Sequence, residues 1–328
     1  MVDLQFTPSS LFQEGTRLPS IKQWLSDTVW SRARYDVLDP ETYLREGEEA
    51  VTRAEELIAT GALSLWDELE AESRQSPAIK SWLGIDAPLP LEKPRAAIVF
   101  DGLSLREMPL ILKMAESTGL KVKSAGVIAT SLPTETVNFV EQRVIGTRIG
   151  PSQLKGRREL GEKNVAAFYL SQPNTREVYS ADRSLLIWSS YPDRLFFNDE
   201  ARSEQLFTTF HRDHILVIWK CTVQAIPAGM PIVITADHGY VFFGASFEAN
   251  RHSSAPAILD QARFKEFSPT EPFPEWHPDL QLLSASRTAM LRGRLRTKPQ
   301  GTSSRKLYQH GGFSLMEVLV PWVELERE

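Results

Sequence analysis

Residues 232–239 read IVITADHG, and the fold that we predict rests mainly on this segment. An unbroken run of apolar and β-branched residues is typical of a strand buried on both faces, as in a parallel sheet. The strand is followed at once by Asp237, His238 and a glycine. Functional sites of open α/β sheets lie at the carboxyl edge of the strands. The stretch therefore predicts a central strand with a polar site at its end.

Asp237 and His238 together indicate a metal site. Carboxylate oxygen and imidazole nitrogen are ligands that suit zinc or manganese. A buried acid and imidazole with neither a metal ion nor hydrogen-bond partners would be energetically costly. The alternative to a metal site is therefore a purely structural hydrogen-bond network. We favour the metal.

Strands and helices alternate from residue 95 onward, and this order predicts an α/β fold with a doubly wound, mostly parallel sheet. An all-apolar strand at 96–100 ends in Asp101. The other predicted strands are 122–129, 165–170 and 185–189, and the predicted helices are 105–118, 134–144 and 204–225.

The sequence predicts two structural regions. Residues 1–93 read as an α-helical N-terminal module that ends in a proline-rich linker, because apolar residues recur there at helical spacing among many charged ones. Residues 94–328 form the predicted α/β domain. Within it, about 245–306 lacks clear periodicity and reads as an irregular, basic insertion.

Three further segments carry candidate site residues. Asp101 ends a buried strand, although a turn aspartate that caps the next helix has the same pattern. Residues 132–136, LPTET, open a helix, where backbone N–H groups favour an oxyanion and hence a hydroxyl nucleophile. A threonine N-cap is the alternative. His310 ends a short strand before two glycines, and it reads as a ligand or as a turn histidine.

Taken together, these segments resemble the alkaline-phosphatase superfamily, and more closely its PglZ-type branch. The resemblance covers residues 95–328, and its most specific motifs are TADHG at 235–239 and HGGFSLMEV at 310–318. It implies a sheet of alkaline-phosphatase type. PglZ-type domains are associated with bacterial phage-defence systems of the BREX kind and also occur in signalling proteins. The chain is short for the BREX members, which favours a stand-alone form.

The resemblance implies two divalent metal ions, usually zinc, on either side of a scissile phosphate. Asp101, Asp237 and His238 would bind one ion together with the Thr136 oxygen, and that ion would also activate a threonine nucleophile. Thr136 is the better nucleophile, because the Pro-x-x-Thr start and a glycine ten residues later match phosphodiesterase relatives. Thr134 is the alternative.

The second ion would be bound by Asp193 and His310. The family has a third ligand, a histidine, four residues after the aspartate, but this chain has Phe197 there. The candidate substitutes are Asp199, Asn198, His211 and His214. The two histidines lie three residues apart on a predicted helix, so they could share one face. We expect that face to be exposed to solvent.

Composition limits the other possibilities. A formal net charge of -5 argues against a polybasic nucleic-acid binder, and the single cysteine, Cys221, cannot form an internal disulfide. The N-terminus lacks signal-peptide features and no apolar run is long enough to span a membrane, so we expect a cytoplasmic protein without membrane contact. Motifs of P-loop ATPases, dinucleotide-binding folds, serine hydrolases and zincins are not found in the sequence.

A basic run precedes His310. Residues 287–306 contain seven Lys or Arg and no acid. Such a run is either a flexible solvated loop or an electrostatic guide for a phosphate-rich substrate.

The expected function is a metal-dependent phosphodiesterase that acts on a nucleotide or oligonucleotide through a phosphothreonine. The resemblance implies a role in phage defence or signalling, with defence-system proteins as partners. The first alternative is a scaffold that has lost its metal site and binds partner proteins, which Phe197 favours. The second is a nucleic-acid-binding module that uses the basic run.

Overall fold

The computed structural model describes residues 17–61, 64–196, 205–244, 247–249, 252–297 and 306–327. None of the helices in these ranges is long and apolar enough to cross a membrane. The helices are α1 Arg17–Trp24, α2 Arg32–Val37, α3 Pro40–Gly61, α4 Ser64–Gln75, α5 Ile79–Trp82, α6 Met108–Ser117, α7 Thr136–Phe139, α8 Arg158–Gly161, α9 Asp193–Phe196, α10 Leu206–Thr209, α11 Ile215–Cys221, α12 Ala255–Ile258 and α13 Leu315–Val318.

Wider helical turns extend α1 through Leu25–Val29, extend α7 through Val140–Ile145, and join α10 to α11 through Phe210–His214. The strands are β1 Ala96–Phe100, β2 Leu120–Ala129, β3 Val165–Leu170, β4 Ser184–Ser189, β5 Ile232–Ala236, β6 Val241–Phe242, β7 Phe264–Glu266, β8 Leu280–Leu283, β9 Thr288–Leu291, β10 Tyr308–Gln309 and β11 Leu319–Arg327.

The central sheet has six strands in the order β2-β11-β5-β1-β4-β3. Strands β5, β1, β4 and β3 are parallel neighbours, whereas β11 runs antiparallel to both β5 and β2. The predicted α/β fold with a mostly parallel sheet is confirmed. The run of apolar residues in β1 and β5 follows from this position, because both strands are buried on both faces.

Alternate residues of β1 contribute to hydrophobic cores on opposite faces of the sheet. Ile98 packs in one core with Val51 of α3 and residues of α6. Val99 packs in the other core with Phe139 of α7. Because the N-terminal helices share the first core with the sheet, they are part of the packing of the α/β body. The division of the chain into two folding units near residue 93 stays a prediction.

Two glutamates of α3 are buried and bind arginines of the α/β body. Glu48 contacts Arg106 at 2.5 Å and Arg294 at 2.6 Å, and all three side chains are at most 1% exposed. Burial alone would raise the pKa of Glu48, but the two guanidinium groups lower it. Glu55 lies 3.0 Å from Arg294 and accepts a hydrogen bond from the backbone N–H of Leu315 at 2.6 Å. These contacts attach α3 to the segment that follows His310.

The predicted irregular insertion contains regular structure. β7, β9 and β8 form a three-stranded antiparallel sheet with a small hydrophobic core of its own. The expectation of an irregular stretch was wrong for this part, because strands of three or four residues are too short to show a periodic pattern.

The basic run is largely absorbed into the fold. Arg287 and Arg296 donate to backbone carbonyl oxygens, Arg292 donates to Gln281, and Arg294 binds the buried glutamates of α3. These four arginines are therefore held by the fold and do not form a solvated loop. Lys298 and Arg305 lie outside the described residues.

The buried ion network predicts a large effect of one substitution. Glu48→Ala leaves two buried guanidinium groups without this carboxylate, so it should lower the free energy of unfolding by about 3–5 kcal/mol. Glu49→Ala is the matched control, because Glu49 is exposed and lies 3.8 Å from Arg53 of the same helix. Urea unfolding of both variants makes the comparison. Equal stabilities would show that the network does not hold α3 in place.

Candidate metal centre

Three aspartates come together because three adjacent strands are parallel. Asp101 follows β1, Asp237 follows β5, and Asp193 lies four residues after the end of β4. The last residue of β1 pairs with the last residues of both β4 and β5. The carboxyl ends of the three strands therefore meet at one edge of the sheet, where α/β proteins build their sites.

Backbone contacts fix the turns that carry these aspartates. The N–H of Asp193 donates to the carbonyl of Asp101 at 2.8 Å, and the N–H of Gly102 donates to Asp237 Oδ1 at 3.0 Å. Gly102 has a φ of +75°, and a Cβ there would lie 3.3 Å from that of Asp193. Position 102 therefore requires glycine, both for its backbone conformation and for the close approach of Asp193.

His238 is oriented toward all three carboxylates. Its Nδ1 lies 3.0 Å from the carbonyl oxygen of Gly239, which can only accept, so Nδ1 carries the proton. Nε2 therefore has a lone pair on the side of the aspartates. It lies 3.6 Å from Asp237 Oδ2, 3.7 Å from Asp101 Oδ1 and 3.9 Å from Asp193 Oδ1.

His310 approaches from the loop after β10. Its ring stacks on that of His238, with centroids 4.1 Å apart and planes 5° from parallel. Nδ1 lies 3.2 Å from the carbonyl oxygen of Thr134, which again places the proton on Nδ1. Nε2 lies 3.7 Å from Asp193 Oδ1. The structure thus brings together the five carboxylate and imidazole ligands that were predicted. The sixth predicted ligand, the Thr136 oxygen, lies beside Asp237 and Asp101.

The five side chains form two overlapping groups that could each bind a metal ion. One group is Asp101, Asp237 and His238, and the other is Asp193, His238 and His310. One imidazole nitrogen binds one ion, so His238 completes only one group at a time. In the part of the chain that the structure describes, no other side chain joins Asp193 and His310.

Burial and nearby negative charges make two of the carboxylates, Asp101 and Asp193, hard to ionise. Burial, followed by the charges of Asp237 and Asp193, raises the pKa of Asp101 well above its usual value. Burial also raises the pKa of Asp193 to about 6, and it lowers the pKa of His238 to about 4. Negative charges concentrated in this way call for a cation.

The donor set fits divalent metal ions. Zinc bonds of about 2.1 Å in a tetrahedral site place two ligand atoms about 3.4 Å apart. The separations from His238 Nε2 to Asp237 and Asp101, 3.6 and 3.7 Å, are close to this value. Asp193 Oδ1 is buried and accepts no hydrogen bond from the residues that the structure describes. An ion between these atoms would supply the missing partner.

The two candidate nucleophiles lie in different environments. The Thr136 hydroxyl donates to Asp237 Oδ2 at 2.7 Å and lies 3.5 Å from Asp101 Oδ1. The Thr134 hydroxyl is fully buried, donates to the carbonyl of Gly312 and accepts from the N–H of Gly311. Only Thr136 places its oxygen among the candidate ligands.

The proposed substitutes for the missing histidine do not join the centre. Phe197, Asn198 and Asp199 lie outside the described residues. His211 was predicted on a solvated helix face, but its side chain is only 3% exposed and contacts Tyr35. Burial lowers the pKa of His211 to about 3. This side of the helical segment packs against Tyr35 of α2, which the local pattern did not indicate. His214 lies against the ring of Tyr191.

Two residues of the centre were missed from the sequence. The indole N–H of Trp188 donates to Asp101 Oδ2 at 3.1 Å, and the hydroxyl of Thr130 donates to the carbonyl of Asp237. Both residues lie at strand ends, as the ligands do. A tryptophan in a buried strand reads as core, however, so no local signal separates this role from packing.

The chain is similar in fold to several solved structures, at low identity. No family model matches the sequence, and no curated protein matches it. Murine ectonucleotide pyrophosphatase/phosphodiesterase 5 aligns with a TM-score of 0.45 and 11% identity, over 71% of this chain and 88% of that one. Phosphonoacetate hydrolase from Sinorhizobium meliloti 1021 aligns with a TM-score of 0.38 and 12% identity, over 71% and 89%.

The C-terminal periplasmic domain of EptC from Escherichia coli, in complex with Zn, aligns with a TM-score of 0.28 and 12% identity, over 73% of this chain and 74% of that one. Likenesses this distant leave the function to be argued from the site itself.

The geometry predicts that the purified protein contains a divalent transition metal. Asp237→Ala removes a carboxylate that contacts both His238 and Thr136, so elemental analysis should find the metal content strongly reduced. Asp213→Ala, which changes an exposed aspartate, should keep the wild-type content. Equal metal contents in wild type and Asp237→Ala would contradict the assignment.

Proposed function

We propose that this protein is a metal-dependent phosphoester hydrolase of the alkaline-phosphatase superfamily. One observation carries the proposal: three carboxylates and two imidazoles converge at the carboxyl edge of the sheet, with the Thr136 hydroxyl 2.7 Å from one of them. A nucleophile among metal ligands is the arrangement that phosphoryl transfer requires.

The proposed site binds two divalent ions, zinc or manganese. Asp101, Asp237 and His238 would bind one ion together with the Thr136 oxygen, and Asp193 and His310 would bind the other. When bound, such ions lower the pKa of an alcohol nucleophile and neutralise charge on the phosphate and its leaving oxygen. Thr136 is already oriented for this role, because its hydrogen bond to Asp237 fixes the position of Oγ1 at the start of α7.

The chemistry proceeds in two displacements. Thr136 Oγ1 loses its proton and attacks phosphorus, the bond to the leaving alcohol breaks, and that oxygen takes up a proton. The product is a phosphothreonine. Water then attacks the same phosphorus, the bond to Oγ1 breaks, and the threonine hydroxyl is regenerated. The N-terminal position of Thr136 in its helix favours the negative charge that develops there.

A diester of a nucleotide or oligonucleotide is the substrate class that we propose. Glu135 Oε1 lies 3.6 Å from His310 Nδ1, beside the nucleophile. A carboxylate in this position repels a monoester, which carries about two negative charges at neutral pH, more than a singly charged diester. The PglZ-like motifs support a further proposal, a role in phage defence or signalling with protein partners from such systems.

A scaffold without catalysis is the second candidate. The described residues provide only two ligands for the second ion, besides the His238 shared with the first. A protein that binds one ion and turns over no phosphoester would favour this candidate.

The nucleophile assignment predicts a clear contrast between two substitutions. Thr136→Ala should reduce hydrolysis of a nitrophenyl phosphodiester to the uncatalysed background, because the attacking oxygen is gone. Thr136→Ser should keep part of the activity, because it retains a hydroxyl. Thr60→Ala, an exposed threonine of α3, is the control and should match wild type. Wild-type rates for Thr136→Ala would point to direct attack by water.

The ligand sets predict two sites of unequal affinity. Titration calorimetry on metal-free protein should show one tight ion, bound by two carboxylates and an imidazole, and one weaker ion with fewer protein ligands. His310→Ala should abolish the weaker site together with turnover, but retain about one tightly bound ion. Activity should accordingly rise with added metal beyond one equivalent. Two equally tight sites would reveal a ligand outside the described residues.

A further inference from the structure

The loop that carries His310 is held by the side chain of Thr134. The N–H of Gly311 donates to Thr134 Oγ1 at 3.0 Å, and Thr134 Oγ1 donates to the carbonyl of Gly312 at 2.9 Å. One hydroxyl thus acts as acceptor and donor for two peptide units of the loop, the one between His310 and Gly311 and the one between Gly312 and Phe313. The hydroxyl is fully buried, so water does not replace these bonds in the folded protein.

The backbone of the same residue holds the imidazole ring. The carbonyl oxygen of Thr134 lies 3.2 Å from His310 Nδ1, which directs Nε2 toward Asp193. Thr134 therefore contacts three consecutive residues, His310, Gly311 and Gly312. In metal sites, a carbonyl that accepts from the non-ligating nitrogen sets the tautomer and the orientation of the histidine.

The opposite side of the loop is held by a buried ion pair. Glu317 accepts from the N–H of Gly312 at 2.9 Å, and it binds Arg263 through two contacts of 2.6 Å. A Cβ at position 312 would lie 2.6 Å from the Arg263 guanidinium, and Gly311 has a φ of +99°. The loop is therefore confined between this pair and Thr134, and neither glycine has room for a side chain.

We propose that Thr134 is a positioning residue for His310 and thereby sets the affinity of the weaker metal site. The proposal rests on the proposed function, because it assumes that His310 binds an ion. The hydroxyl acts on the ligand through the loop, without touching an ion or the substrate. Because Thr134 lies two residues before Thr136, which begins α7, the same segment positions the nucleophile and a ligand of the second ion.

Thr134→Val tests the proposal, because valine has nearly the shape of threonine but lacks the hydroxyl. The matched control is Thr222→Val, since Thr222 is equally buried and its hydroxyl also donates to a backbone carbonyl, in the turn after α11. Titration calorimetry with zinc on the metal-free full chain should show the weaker site of Thr134→Val weakened about tenfold or more, with the tight site unchanged. Thr222→Val should leave both sites unchanged.

Rescue distinguishes positioning from a loss of packing. Thr134→Ser retains the hydroxyl, so it should recover most of the affinity of the weaker site, although it lacks the methyl group. Thermal unfolding of each variant shows whether the fold is intact. If Thr134→Val does not fold, Thr134→Ala and Thr222→Ala take the places of the two valine variants.

The outcomes separate this proposal from the proposed function. Wild-type protein that binds no second ion overturns the positioning role, and if it also hydrolyses no phosphoester it overturns the proposed function as well. Two ions in wild type and unchanged affinities in Thr134→Val overturn the positioning role alone. An equal loss at both sites, or no recovery with serine, also overturns it, since a general destabilisation would then explain the effect.

Discussion

Three carboxylates crowd one edge of the sheet, and this constraint explains most of the surrounding structure. Parallel pairing of β5, β1 and β4 brings Asp237, Asp101 and Asp193 to one point of the sheet edge. Three negative charges at that point, with little water, are unfavourable without a cation. Much of the surrounding detail makes sense as a means of holding ligands for such a cation, from the tautomers of the two histidines to the glycine at position 102.

The centre is supported by hydrogen bonds from outside the ligand set. Trp188 orients one oxygen of Asp101, Gly239 orients His238, and Thr134 orients His310. Each contact uses the part of the ligand that faces away from the site. Ligands that are held in this way lose little further freedom when an ion binds, which favours binding and a fixed geometry for the nucleophile.

A second buried network connects the centre to the N-terminal helices. Glu48 and Glu55 of α3 bind Arg294, and Glu55 also accepts from the backbone of Leu315, five residues after His310. The helices that precede the sheet therefore pack against the segment that bears a candidate ligand. From the sequence, these helices look like a separate module, because the arginines that bind the acids on their buried face lie far away along the chain.

Features that depend only on neighbouring residues along the chain could be predicted from the sequence. Apolar runs marked β1, β3 and β5 within a residue of their ends, and Asp101, Asp237 and His238 were placed directly after strands, because strand periodicity and turn chemistry are local. The folded structure shows that Thr136 faces the carboxylates and Thr134 does not, a choice that the family resemblance favoured but that the local sequence around the two threonines does not encode. It also decided that Arg294 binds Glu48, 246 residues away, and that His211 is buried. Contacts of this kind depend on which strands and helices are neighbours in space, and no local pattern encodes that.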